Sequence, residues 1–172
     1  MDFKAKYSDS LASWCEGQMG QQVGNGECWT LAANGLKAIA AGCRAEGLEP
    51  CMTSQSVIHG YAVFTFTPPK PSQPPGGVEA ADVARGDIIQ FLSCHFVRKD
   101  GRGQSWAGAP DHTSVVTAVE RGGVLRVVEQ NVGGVKIVQE GKYDFSELVA
   151  GEVRIFRAVG ESWIGKLDPS WP

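Results

Sequence analysis

The chain has no long apolar run, no surplus of basic charge and no even set of cysteines, and each absence excludes a class of protein. Its purely apolar stretches are a few residues long, whereas a membrane-spanning helix needs about 20, so no membrane span is expected. Sixteen Lys and Arg stand against nineteen Asp and Glu, a net charge of −3. No basic excess is there to neutralise a phosphate backbone, and no nucleic-acid partner is expected. Met1 to Lys6 lack the apolar segment of a secretory signal. The five cysteines, Cys15, Cys28, Cys43, Cys51 and Cys94, are odd in number and irregular in spacing. They make a poor disulfide framework, so a reducing, cytoplasmic setting is expected. No C-x-x-C pair and no H-x-x-x-H pair exists, and Gly24-Asn25-Gly26 lacks the third glycine of a dinucleotide loop. Neither a metal nor a cofactor is expected.

What is present suits one packed domain. The 172 residues are 42% hydrophobic, and a chain of this length buries about 70% of its unfolded surface. A helix is predicted over Asp9 to Met19. Cys28, Leu31, Ala32, Gly35, Leu36, Ile39 and Cys43 then fall on one face of a 3.6-residue period, which predicts a second helix. Gly42 and Gly47 are its candidate stops. The second half changes period. Strands are expected at Tyr61–Thr67, Asp87–Val97, Thr113–Glu120, Val124–Val132, Val135–Gln139 and Glu152–Ala158. Hairpin turns are expected at Arg121-Gly122-Gly123 and Gly133-Gly134. A Pro-rich segment, Pro68–Pro75, reads as an extended loop inside the domain. Helices first and an antiparallel meander afterwards make an α+β fold with N-terminal helices packed on a five- to six-stranded sheet.

Cys28 opens the second helix. A helix N-terminus carries partial positive charge and free N–H groups, which favour the thiolate, the form that attacks a carbonyl. Gly24-Asn25-Gly26 before it lets the backbone turn sharply and approach a ligand. The competing reading is a buried structural thiol. A nucleophilic thiol needs a base, and there are three histidines. His59 and His95 lie at or in strands, where a histidine is more often structural. His112 opens a strand after Gly108-Ala109-Pro110-Asp111. Ser114, Val116 and Ala118 share its face and are small, which would let a helix come close. The base in turn needs an orienting group. Leu125, Val127, Glu129 and Asn131 share one strand face, so apolar residues give way to two polar ones at its end. They read equally as orienters or as a solvated strand end.

These residues resemble a known superfamily. Gln22-Val23-Gly24-Asn25-Gly26-Glu27-Cys28-Trp29 resembles the active-site start of papain-like cysteine peptidases, where a Gln six residues before the Cys helps form the oxyanion hole. Arg85-Gly86-Asp87-Ile88-Ile89, Asp111-His112-Thr113-Ser114 and Val128-Glu129-Gln130-Asn131 resemble, in order, segments of CHAP domains and their NlpC-type relatives. A resemblance over most of the chain is to the cysteine-proteinase-fold domain of fungal actin-patch proteins that also carry SH3 domains. No SH3 sequence is present here, so a stand-alone version is the expectation.

The resemblance implies a single CHAP-like domain over residues 1–172. It implies a thiol hydrolase or acyltransferase acting on a peptide or a small amide or ester. Cys28 is then the nucleophile and His112 the base. Glu129 is its orienter, as in CHAP domains, with Asn131 behind it or beside the substrate. Gln22 and the Cys28 N–H are oxyanion donors, and Gly26 and Trp29 line the substrate. The alternative it leaves is a non-catalytic interaction module of the same fold in cytoskeletal or SH3-linked assemblies, with Pro68–Pro75 as ligand of an SH3-like partner.

Overall fold

A computed structural model describes residues 4–68 and 83–164. A π-helical turn, Lys4–Ser8, leads into α1 (Asp9–Glu16), and α2 follows at Cys28–Ala45. Six strands come next: β1 (Tyr61–Phe66), β2 (Ile88–Val97), β3 (Gln104–Val119), β4 (Val124–Glu129), β5 (Gln139–Asp144) and β6 (Leu148–Arg157). They form one antiparallel sheet in the order β1-β6-β2-β3-β4-β5. The α+β class read from the sequence is the class observed. The simple meander is not, because β6 returns to lie between β1 and β2.

Strand alternation feeds two apolar clusters, one on each face. Ile88, Val115, Val128 and Phe156 face Leu31, Leu36 and Leu11 of the helices. Ile89, Phe91, Val116, Val127 and Ile155 face the other way. That second face has no α-helix over it among the described residues. Instead the sheet curls on itself. Phe66, at the end of edge strand β1, stacks on Phe145, just past edge strand β5, with ring centroids 6.3 Å apart. The two edges of the sheet thus meet across the second cluster.

The helix pair is set by a glycine. A Cβ on Gly35 would lie 2.7 Å from Leu11 Cδ1 and 3.1 Å from the Trp14 ring. Only hydrogen at that position allows α1 and α2 to cross so closely. Asp87 is fully buried and takes a bidentate ion pair from Arg157 of β6, both contacts at 2.8 Å. The preceding Gly86 lies against the Ser8 carbonyl, 1.9 Å from where a Cβ would be. The Gly-Asp dipeptide therefore pins the start of β2 to the last strand and to the N-terminal turn.

Several boundaries differ from those expected. β3 begins at Gln104, not at Thr113, because it runs through a bulge instead of a loop. Register slips between Leu92 and Cys94, with Ser93 at φ 47° and Gly108 at φ 82°. Pro110, which has no N–H for the ladder, sits inside that irregularity. β4 stops at Glu129, since Asn131 takes the left-handed φ of 63°. Residues 132–138 form a tight loop closed by Val135 N–H to the Val132 carbonyl, and the expected strand at Val135–Gln139 begins at Gln139 instead. Helix α1 ends at Glu16, three residues early. The Pro-rich segment from Pro69 onward lies outside the described residues.

Candidate active site

Cys28 is the first residue of α2, and only 8% of it is exposed. The chain reaches it through a tight turn. Asn25 Oδ1 accepts from the Glu27 N–H at 3.0 Å, and Gly26 takes a φ of 82°. Thr30 donates its hydroxyl to the Glu27 carbonyl at 2.7 Å and to the Val23 carbonyl at 2.9 Å, tying the first helical turn to this loop.

His112 lies on β3, two residues beyond the last pair with β4, Ser114 with Glu129. Its Nε2–H donates to Glu129 Oε2 at 2.8 Å, and both side chains are buried. The other ring nitrogen is left for the Cys28 sulfur, which lies close enough to interact with the imidazole. Burial opposes the imidazolium, but the interactions with Cys28 and with the Glu129 carboxylate outweigh it. The His112 pKa is raised to about 9. Three residues from three elements therefore converge as thiol, imidazole and carboxylate.

The route by which they meet differs from the expected one. Val116, on the face of His112, belongs to the cluster away from the helices, whereas α2 packs over Val115 and Val128. The helix does not approach across a face of small residues. It lies on the opposite face, and its first residue meets His112 past the end of the β3–β4 pairing.

Glu129 has a further partner. Tyr143 of β5 donates its hydroxyl to the same Oε2 at 2.8 Å. Burial, then the charge of Glu129, pushes the Tyr143 pKa far up, so it stays a donor. Gly141 makes room for the carboxylate, which lies 2.0 Å from where a Cβ would be. Neither residue was singled out from the sequence, because the expected strand ended at Gln139. A glycine and a tyrosine two apart, facing a strand that ends in a buried acid, were the available signal.

Asn131 is not at the histidine. Its amide donates to Glu27 Oε2 at 2.8 Å, and Lys136 Nζ takes Glu27 Oε1 at 2.8 Å. Its left-handed backbone turns it away from the face it was expected to share with Glu129. Gln22 is exposed beside the Cys loop and donates to the Gly24 carbonyl at 3.4 Å. Gly26 lies under the Lys136 stem, whose Cβ is 2.8 Å from where a Gly26 Cβ would be, and Gln22 Cδ is 3.1 Å from the same point. Trp29 is 47% exposed. It lines a groove of about 400 Å³ together with Lys37, Val57, Gln90, Asp111 and Thr113.

Gln130, between the two polar residues singled out, is the one that fastens the site. It is fully buried. Its Oε1 accepts from the Val23 N–H at 2.8 Å. Its amide donates to the carbonyls of Val23 and Glu27 and to Thr30 Oγ1. The other histidines are elsewhere. His95 stacks flat on Trp106, centroids 4.7 Å apart, on the β2–β3 hairpin. His59 is buried between Ser54 and Gln90. All five cysteines are free thiols. Among the described residues, no group of three or more His, Cys, Asp or Glu is placed to hold a metal, and no helix is long and apolar enough to cross a membrane.

A thiol on a helix N-terminus, set against a histidine–carboxylate pair on an antiparallel sheet, is the arrangement of a cysteine-proteinase fold. The chain belongs to the AIM3/BBC1 cysteine proteinase-fold domain family, whose model matches residues 1–168. It is similar to the fungal "Altered inheritance of mitochondria protein 3" of Debaryomyces hansenii, 35% identical over 164 residues and 94% of this chain. The chain spans 17% of the length of that curated relative. Among solved structures it is similar to the crystal structure of Ly7917, at 20% identity and a TM-score of 0.45, covering 87% of this chain and 62% of that one. A second Ly7917 structure, described as holding the hydrolysing product of MDP, gives 19% identity, 86% and 62% coverage and a TM-score of 0.46.

Proposed function

We propose that the chain is a thiol-dependent hydrolase or acyltransferase acting on an amide or ester. The observation that carries this reading is the buried series Cys28, His112, Glu129 and Tyr143, in which the imidazole is held by the carboxylate on one side and interacts with the thiol on the other. Cys28 Sγ attacks the carbonyl carbon and the C=O electron pair moves to oxygen. The Cys28 N–H, at the helix N-terminus, and the Gln22 amide are the donors for that oxyanion. The long Gly24 contact of Gln22 is weak enough to be exchanged. Imidazolium His112 gives its proton to the departing amine or alkoxide, leaving a thioester. His112 then takes a proton from water or from another nucleophile, which displaces Cys28 and restores the thiolate. Glu129 holds the ring by Nε2–H throughout, and its charge favours the imidazolium. Gly26 and Trp29 border the path of the substrate.

A second reading, an interaction module without catalysis in cytoskeletal or SH3-linked assemblies, has one observation in its favour. Gly26, two residues before Cys28, is covered by the Lys136 stem, which Glu27 holds down. A cytoplasmic setting fits either reading, since all five thiols are free. A fluorescent epoxide or vinyl-sulfone probe separates the two. Stoichiometric labelling of Cys28 that His112→Ala abolishes supports the enzyme. A Cys28 no more reactive than free cysteine supports the module.

A further inference from the structure

Glu27 puts a negative charge next to the nucleophile. It is the N-cap of α2, one residue before Cys28, and consecutive Cα atoms lie about 3.8 Å apart. A carboxylate there opposes a thiolate, because like charges this near disfavour each other. It would also compete with the thiolate for the free N–H groups of the helix end. Glu27 makes no side-chain bond to those N–H groups. Both of its oxygens are taken elsewhere.

What takes them is a short hairpin after β4. Gly133 and Gly134 turn it at φ 59° and 80°. The Asn131 N–H donates to the Val135 carbonyl at 3.0 Å, and the Val135 N–H to the Val132 carbonyl at 3.1 Å. The closed turn brings Asn131 and Lys136 to the same carboxylate. Asn131 Nδ2 donates to Glu27 Oε2 and Lys136 Nζ to Oε1, each at 2.8 Å. A carboxylate only accepts, so Asn131 can present only its NH2 there. Asn131 is neutral, and among the described residues Lys136 supplies the cation that offsets the charge. Its stem is not loose, since Lys136 Cβ and Cδ lie 2.8 and 2.9 Å from where a Gly26 Cβ would be. The Glu27 and Lys136 side chains are 38% and 47% exposed, and a pair this open adds little to fold stability. Its electrostatic effect falls instead on the thiol one residue away. The other charged and titratable groups at Cys28 are His112 of β3, Glu129 of β4 and Tyr143 of β5. Those stay in place in every variant below.

We infer that Lys136 is a positioning residue for the nucleophile: it holds Glu27 off the end of α2 and cancels its charge, which keeps the Cys28 thiolate favoured. The inference rests on the thiolate chemistry of the acyl-transfer reading, but its test needs no substrate. The rate of iodoacetamide labelling of Cys28 is followed by peptide mass mapping from about pH 5 to 10, and its midpoint is compared between variants. Lys136→Met keeps an apolar stem over Gly26 and removes the charge. Its midpoint should move up by about half a pH unit, with labelling about three-fold slower below it, the effect of one uncancelled charge at a partly exposed site. The shift should shrink in 1 M salt, where the screening length falls to about 3 Å. Lys136→Arg keeps the charge and should keep the wild-type midpoint. Glu27→Gln added to Lys136→Met removes the uncancelled charge, keeps an acceptor for Asn131 and should bring the midpoint back. An unmoved midpoint in Lys136→Met overturns the inference. So does a shift that Glu27→Gln fails to reverse, which would make Lys136 a strut for the loop and nothing more. The acyl-transfer reading fails separately. A wild-type Cys28 no more reactive than free cysteine removes the catalyst, while the midpoints still read the effect of Lys136. A selectively reactive Cys28 with an unmoved midpoint removes only the role of Lys136.

Discussion

His112 and His59 sit at opposite ends of the histidine range, and each sets one limb of the pH–stability curve. The His112 pKa is raised to about 9 against an ordinary 6.5. Its stabilisation is complete below about 6.5 and is lost as pH rises through about 9. His59 is lowered to about 4 by burial. Its contribution is complete above about 6.5 and is lost as pH falls from there toward 4. Thermal melts should therefore show a maximum near the ordinary histidine pKa, with the fall just below it, from about pH 6.5 to the carboxylate range, reduced in His59→Gln. Glu129→Gln should lower the His112 pKa, because a neutral amide stabilises imidazolium less than a carboxylate does. Asn131→Ala should leave it in place, since Asn131 is bonded to Glu27. Proton NMR titration of His112 in the two variants decides between them, and a larger fall in Asn131→Ala would reverse the assignment. Among the cysteines, burial holds Cys15 up at about 12 and Cys51 and Cys94 at about 11. Iodoacetamide near neutral pH should label Cys28 well ahead of these three by peptide mass mapping, and His112→Ala should slow it.

The element that positions the thiol is the loop before α2, and a residue from β4's end holds it. Gln130 satisfies both backbone groups of Val23 and the carbonyl of Glu27. Gln130→Ala leaves the buried Val23 N–H unpaired, at about 1–3 kcal/mol, so Tm should fall by about 3–8 °C. Cys28 labelling should slow as well, although Gln130 makes no bond to the sulfur. Unchanged labelling at a lowered Tm would make Gln130 structural only. Helix α2 was legible because Leu31, Ala32, Gly35 and Leu36 keep a strict period, and the Cys28, His112 and Glu129 segments stood out by residue type and order. What was hidden followed from backbone events that alternation does not encode. The left-handed turn at Asn131 broke the shared face with Glu129. The bulge at Ser93 and Gly108 let a strand run through Pro110. Tyr143 and Gly141 were missed with the strand that carries them, since Val135 and Ile137 mimic an alternating pattern while lying exposed in a loop.

Across the whole molecule, the sheet closes through its last strand. β6 lies between β1 and β2, and Arg157 on it neutralises the buried Asp87. A chain ending before Leu148 would leave Asp87 buried without that partner and β1 without a neighbour. Such a fragment should lack a cooperative melt and bind a hydrophobic dye. A fragment with a sharp transition would show that β6 is dispensable. The strand order also has a temporal meaning. Translation delivers Cys28, His112 and Glu129 well before β6, yet the sheet that carries the imidazole is complete only when β6 slots into its middle. A nascent chain on the ribosome thus holds the whole chemical trio without the frame that aligns it. Chains abandoned part-way through synthesis would carry the thiol without an aligned imidazole.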